Sequence, residues 1–283
     1  MAWNHINASY PQILRGILQQ TTAGLLYVAP TYTTPGAPGS AGVAQTMTGL
    51  ALRRFSLNNR AATANCGIGF RWANKYWAAG QLAAADTPDF TDDTTDAQDL
   101  PAGTADFALM NTTADDGWAV HSDRQFSWVS VRIETSSAGA GMTVTADYSD
   151  TAGTGWTAMV EAAATLEPSG NTLLTIDGEQ YTDGDERMIV FTPPNDWGKT
   201  AAGGLNGIPE GRYAMRFLNN VSTTAAVASA IEVGSMVATE QVVTLTEFSD
   251  NNMTYSDPYA DAVVAFFSIA NAGNRVRAEV TTF

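Results

Sequence analysis

The chain has 283 residues, 45% of them hydrophobic, and sets 29 acidic against 14 basic side chains, a formal charge of −15. A chain of this length can bury roughly three quarters of the surface it exposes when unfolded, enough core for one large or two medium domains. The charge argues against a nucleic-acid partner, which needs clustered Lys and Arg to displace counterions, and Lys75 and Lys199 are the only lysines.

From Met1 to Asn7 there is neither a basic nor an apolar leader region, and no run of about eighteen apolar residues follows anywhere. The sequence therefore predicts synthesis in the cytoplasm, with no membrane anchor and no membrane partner. Over residues 9–20, Ile13, Leu14, Ile17 and Leu18 stand at helical spacing behind Ser9 and Pro11, which predicts one short amphipathic N-terminal helix. Leu25, Leu26, Tyr27 and Val28 read as a strand, and residues 30–42 hold too many prolines and glycines for a regular element. The first segment, 1–42, is thus expected to be a helix and an extended arm.

Residues 47–57 and 65–72 alternate, with Cys66, Ile68, Phe70 and Trp72 on one face, and the turn-rich stretch between them predicts a hairpin. Cys66 is the single cysteine, so no intrachain disulfide exists and its place in an alternating run suits a small buried hydrophobe. An acidic run containing Asp86, Asp89, Asp92, Asp93, Asp96 and Asp99 is taken as the boundary into a second module. Strands are then expected at 107–110, 118–121, 126–134, 142–148, 156–160, 173–176, 188–191 and 213–218, and later at 231–236, 242–248, 262–270 and 275–280. The fold class that follows is mostly β. A jelly-roll-like β-sandwich is expected over 86–236, with a further β region at 43–85 completed by C-terminal strands in 237–283.

The middle segment resembles a β-sandwich module of tailed-bacteriophage virion proteins. The residues that carry the resemblance are Asp147 and Tyr148 ahead of Gly155 and Trp156, the turn Phe191, Pro193, Pro194, Asp196 and Trp197, and the strand with Tyr213 and Arg216. Ala214 stands where that family usually has Trp. The resemblance covers about half the chain and implies a fold more directly than a role, since similar modules occur in capsid decoration proteins and in tail-associated proteins.

Catalytic chemistry finds little footing. His5 and His121 are the only histidines, neither has a zinc-ligand partner at suitable spacing, and no nucleophile elbow is present. The acidic runs at 86–99 and 177–186 do not follow the EF-hand order and read as solvated loops, and the glycines at 203–207 read as turns because the phosphate-loop ending is missing. No metal and no cofactor is expected. Trp128 falls on the Ser130, Arg132 and Glu134 side of its strand and is a candidate glycan contact, against the commoner use of such rings in cores.

These readings converge on a non-enzymatic structural protein of a tailed-phage virion. A decoration or cement protein on the capsid surface is expected, with the major capsid protein as partner. A tail fibre, adaptor or receptor-binding protein is the alternative, and a carbohydrate-binding module a further one. A homo-oligomer, preferably a trimer, is expected to dock through Ile13, Leu14, Ile17, Leu18, Leu25, Leu26 and Tyr27.

Overall fold

The computed structural model describes residues 12–19, 25–28, 52–59, 66–83, 89–98, 107–110, 116–135, 144–159, 186–219, 226–236, 257–267 and 275–282. In chain order the strands are β1 (Gln12–Gln19), β2 (Leu25–Val28), β3 (Leu52–Asn59), β4 (Cys66–Trp72), β5 (Trp77–Leu82), β6 (Phe90–Asp92), β7 (Phe107–Met110), β8 (Gly117–Ser122), β9 (Trp128–Thr135), β10 (Val144–Ser149), β11 (Trp156–Ala158), β12 (Glu186–Val190), β13 (Tyr213–Asn219), β14 (Ala226–Met236), β15 (Ala260–Phe267) and β16 (Arg275–Thr282). A single turn of helix, α1 (Thr94–Ala97), follows β6. The expected strands at 173–176 and 242–248 lie outside the described residues. The chain divides into two compact units, Met1–Ala73 with Met236–Phe283, and Asn74–Ser235.

The first unit is built from both ends of the chain. β16 lies between β1 and β3, and β15 lies between β4 and β2, every pairing being antiparallel. Two expectations are corrected here. Residues 12–19 are not helical but form β1, each residue facing one of β16 from Gln12 opposite Thr282 to Gln19 opposite Arg275. The interior Gly16 costs a helix about 1 kcal/mol relative to Ala, and an eight-residue ladder outweighs the helical spacing of the apolar residues. Likewise β3 and β4 do not form a hairpin with each other, because β3 pairs with β16 and β4 with β15. The end of β4 is locked to the turn before β15: the Trp72 indole donates to Asp257 Oδ2 at 2.9 Å, Tyr259 meets its ring edge-on at 5.3 Å, and the Ala73 amide donates to the Tyr259 carbonyl.

The second unit is a β-sandwich. One antiparallel sheet runs β11-β10-β13-β8-β5-β6, and β12, β9 and β14 make the other, with β7 also pairing β14. Successive strands cross between sheets, β8 and β10 lying in the first and β9 in the second, as a jelly-roll-like path requires. Pairing sets which residues share a face. Phe217 opposite Trp118 and Met215 opposite Val120 put the large apolar residues of β13 and β8 inward, and the rings of Trp118 and Phe217 stack at 4.2 Å. Phe107 of β7 meets Trp118 edge-on from the other sheet, and all these side chains are buried.

The unit begins at Asn74, so Asp89, Asp92, Asp93 and Asp96 of the acidic run lie within it rather than at its boundary. β6 pairs with β5, Thr94 Oγ1 bonds both the amide and the carbonyl of Ala79, Gln81 donates to Asp93 at 2.8 Å, and Ala97 is fully buried. Burial holds the Asp93 carboxyl above the usual range against the opposing Gln81 hydrogen bond, and the nearby Asp96 and Asp92 push it the same way as burial.

Candidate functional site

Two features of the sandwich bring chemistry-bearing residues together: the turn after β12 and the outer face of the six-stranded sheet. The turn begins where the Phe191 amide bonds the Ser127 carbonyl, and its two prolines leave few donors to satisfy. Trp197 then enters the core at 4% exposure. Its indole N–H reaches Ser149 Oγ and the Ala214 carbonyl, both at 3.1 Å, while the Ser149 hydroxyl donates to the Gly198 carbonyl at 2.6 Å. Phe126, Phe191, Tyr148 and Tyr213 surround the ring, and Tyr148 donates its hydroxyl to Asp196 at 3.0 Å. Thus Trp197 is the plug of the turn, fixed at the ring and at the indole nitrogen.

On the outer face, Ala119 and His121 of β8 stand beside Ala214 and Arg216 of β13. Leu82, Phe90, Ala119, Ile208 and Ala214 form a small buried cluster there, with Leu218 and Trp156 packed against it. Its cover is a hairpin in the segment before β13. Leu205 and Ile208 exchange both backbone hydrogen bonds across Asn206 and Gly207, whose φ angles of 52° and 97° make the turn that Asn-Gly favours. The hairpin tip is fastened to β6 by the Phe90 amide on the Asn206 carbonyl at 2.9 Å and by Asn206 Nδ2 on Asp89 Oδ2 at 2.6 Å. Further along the face, Arg216 Nε and Nη2 both reach Asp147 Oδ2 at 2.8 Å, and the guanidinium lies 4.7 Å from the Trp156 ring centre.

His121 is the one histidine among the described residues. It is 5% exposed, its strand neighbours are Ala78 and Ala214, and Phe90 meets its ring edge-on at 5.6 Å. Neither ring nitrogen has a hydrogen-bond partner. Burial, aided by the Arg212 charge and opposed by Asp92, lowers its pKa to about 4. A general base is oriented by a carboxylate and poised near neutrality, and His121 meets neither condition. Among the described residues, no group of three or more His, Cys, Asp or Glu is placed to hold a metal ion.

The residues singled out in the sequence are scattered. Ile13, Leu14, Ile17 and Leu18 lie on β1 against β16, and Leu25, Leu26 and Tyr27 on β2 against β15, so they belong to two different sheets. Trp128 is corrected: it is buried, as are Val129, Ser130 and Val131 after it, so both faces of β9 are covered over Trp128 to Val131 and no ring face is open to a sugar. Sequence reasoning singled out Arg216, Asp147 and Trp156 but missed that they meet on one face, and it missed the hairpin over the outer-face cluster.

No protein-family description matches the chain, and no curated protein matches it. A solved structure of infectious bursal disease virus Gt strain aligns over 96% of this chain and 78% of that one, at 12% identity and a TM-score of 0.15. So slight a likeness carries no argument about fold or function.

Proposed function

We propose that this chain is a non-enzymatic structural protein of a tailed-phage virion, a decoration or cement protein held on the outer capsid by the major capsid protein. One observation supports this above the others: the residues that carry the resemblance are committed to packing. Trp197, Phe191, Tyr148 and Asp196 tie the turn to the sheet, Arg216 is paired with Asp147, and the one described histidine has no orienting partner. Residues so used favour a building block over a catalyst.

In this reading identical subunits form a closed ring, a trimer at a local threefold position of the capsid lattice, and modest contacts add through multivalency. β1 and β2 remain the proposed contact region. Each is an edge strand paired with a C-terminal strand, so deleting residues 1–42 would strip an edge from two sheets as well as remove any docking surface. Charge substitutions at Ile13 and Tyr27, checked for folding, are the cleaner probe.

The decisive experiment is quantification of the chain in purified virions, with antibody labelling to show where it sits. Copy numbers comparable with the major capsid protein and label on heads are expected. A few copies per particle with label on tails would replace this reading with that of a tail fibre, adaptor or receptor-binding protein.

A further inference from the structure

We propose that the β1-β16-β3 sheet carries an arginine face that docks on the acidic β6 edge of the sandwich in a second copy of this chain, a head-to-tail contact between subunits. Charge is divided unevenly between the two units. Met1–Ala73 with Met236–Phe283 holds seven basic and six acidic residues, whereas Asn74–Ser235 holds seven basic and 23 acidic. No Asp or Glu precedes Asp86, and every cation of the first unit is an arginine, both lysines lying in the second. Arginine meets carboxylates with a fixed fork of donors and is enriched at protein interfaces, where lysine is depleted.

The strand register gathers these charges. Alternate residues of a strand share a face, and so do residues opposite one another across a pair. Arg275, Arg277 and Glu279 of β16 therefore share one face with Ile13, Arg15 and Ile17 of β1 and with Arg54 of β3. The other face holds Leu14, Leu18, Phe55, Leu57, Val276 and Val280, the sequence pattern of an antiparallel sheet with one apolar and one polar side. Four arginines against one glutamate thus stand on the polar side, with two isoleucines among them that solvation alone does not call for.

Charge also selects the occupant. β6 is an edge strand of the sandwich, and Asp92, Asp93 and Asp96 stand on it and on the helical turn that follows. Asp92 is exposed, Asp93 and Asp96 are half-buried, and none of the three has an ion-pair partner among the described residues. Burial raises the Asp93 carboxyl, and Asp96 and Asp92 push it the same way, so the edge carries a negative field that arginines would relieve. A patch and its complement on different parts of one subunit make a heterologous contact, which closes into a ring where the rotation allows. Only that closure rests on the ring proposed above. The contact itself is measured on the isolated protein, so its failure is distinct from a failure of the virion assignment.

The test is sedimentation velocity of the full chain over a dilution series at about 0.05 M and about 0.5 M salt, a change that shortens the screening length about threefold. Self-association at low salt is expected, weakened about tenfold or more at high salt. Arg275→Glu with Arg277→Glu, and separately Asp92→Lys with Asp96→Lys, should each leave a monomer. An equimolar mixture of the two variants should associate again, since every contact then joins opposite charges. A monomer at both salt concentrations, association that high salt leaves unchanged, or a mixture that does not associate overturns the proposal, as does a DNA oligonucleotide that displaces the second copy. Should the glutamate variant fail to fold, Arg277→Gln alone is expected to weaken association about tenfold, and an unchanged constant overturns the proposal equally.

Discussion

The indole nitrogen of Trp197 donates to the backbone carbonyl of Ala214 at 3.1 Å, so the turn after β12 is bonded directly to β13. The small Ala214 side chain points to the opposite face, beside His121, and its carbonyl supplies the acceptor. One position thus serves the core through its backbone and the outer face through its size.

Trp197→Ala should destabilise the sandwich by about 3–5 kcal/mol, since it removes a buried ring and leaves the Ala214 carbonyl without its indole donor. Trp197→Phe, which keeps the ring contacts but loses the donor, should cost about 1–3 kcal/mol. Denaturant unfolding of the full chain, resolved into the transitions of its two units, measures both.

Gly117→Ala and Gly203→Ala should separate sharply. A Cβ on Gly117 would lie 1.9 Å from the Phe217 carbonyl oxygen, inside the β8 and β13 pairing, so the strand must shift and about 3 kcal/mol or more is expected to be lost. At Gly203 nothing lies within 4 Å and only its φ of 92° resists a side chain, for a cost of about 1–2 kcal/mol. Melting temperatures of the two variants provide the comparison.

His121 gives the stability a defined pH dependence. Its folded pKa of about 4 is below the ordinary 6.5, so between those values the unfolded chain binds the extra proton. Stability is therefore complete above about pH 6.5 and falls as pH drops toward 4, by up to about 3 kcal/mol. His121→Leu should remove that part of the slope, as read from unfolding free energies measured across the window.

Arg216 and Asp147 should couple by about 0.5–1 kcal/mol in a double-mutant cycle, since their side chains are 23% and 15% exposed and solvent screens part of the attraction. Arg216→Lys should recover less than half of this, because a single ammonium does not reproduce both contacts to Oδ2 together with the stacking on Trp156. Tryptophan fluorescence of the Arg216→Ala variant should change as Trp156 loses its cover.

Strands with clear alternation are legible in the amino-acid sequence. The expected strand at 107–110 is β7, and the 213–218 and 118–121 segments are β13 and β8 with one residue more at one or both ends. β5 is not legible, because Trp77–Leu82 consists largely of small residues that take their strand form from β6 and β8 on either side. β6 is hidden in a run of aspartates, and the segment after it is tied to β5 by the Gln81 side chain on Asp93 and the Ala79 amide on Thr94, contacts that no local pattern announces. Trp128 is misplaced by pattern because alternation separates a wet from a dry face only when one face is wet, and β9 is covered on both. The hairpin over the outer-face cluster carries an Asn-Gly turn signal, but the burial of His121 beside that cluster depends on strands that pattern alone does not align.

The pairing of β1 with β16 sets an order on biosynthesis. Gln12 cannot meet Thr282 until β16 has left the ribosome, whereas β5, β6, β8, β10, β11 and β13 of Asn74–Ser235 pair with one another in a single sheet. The sandwich can therefore close while the N-terminal strand still waits for its partner, an exposed template for wrong pairing in the interval. A truncation that stops before Arg275 leaves β1 and β3 permanently without their shared strand. Such nascent or shortened chains are where aggregation during expression should begin, and co-expressed chaperones should help most there.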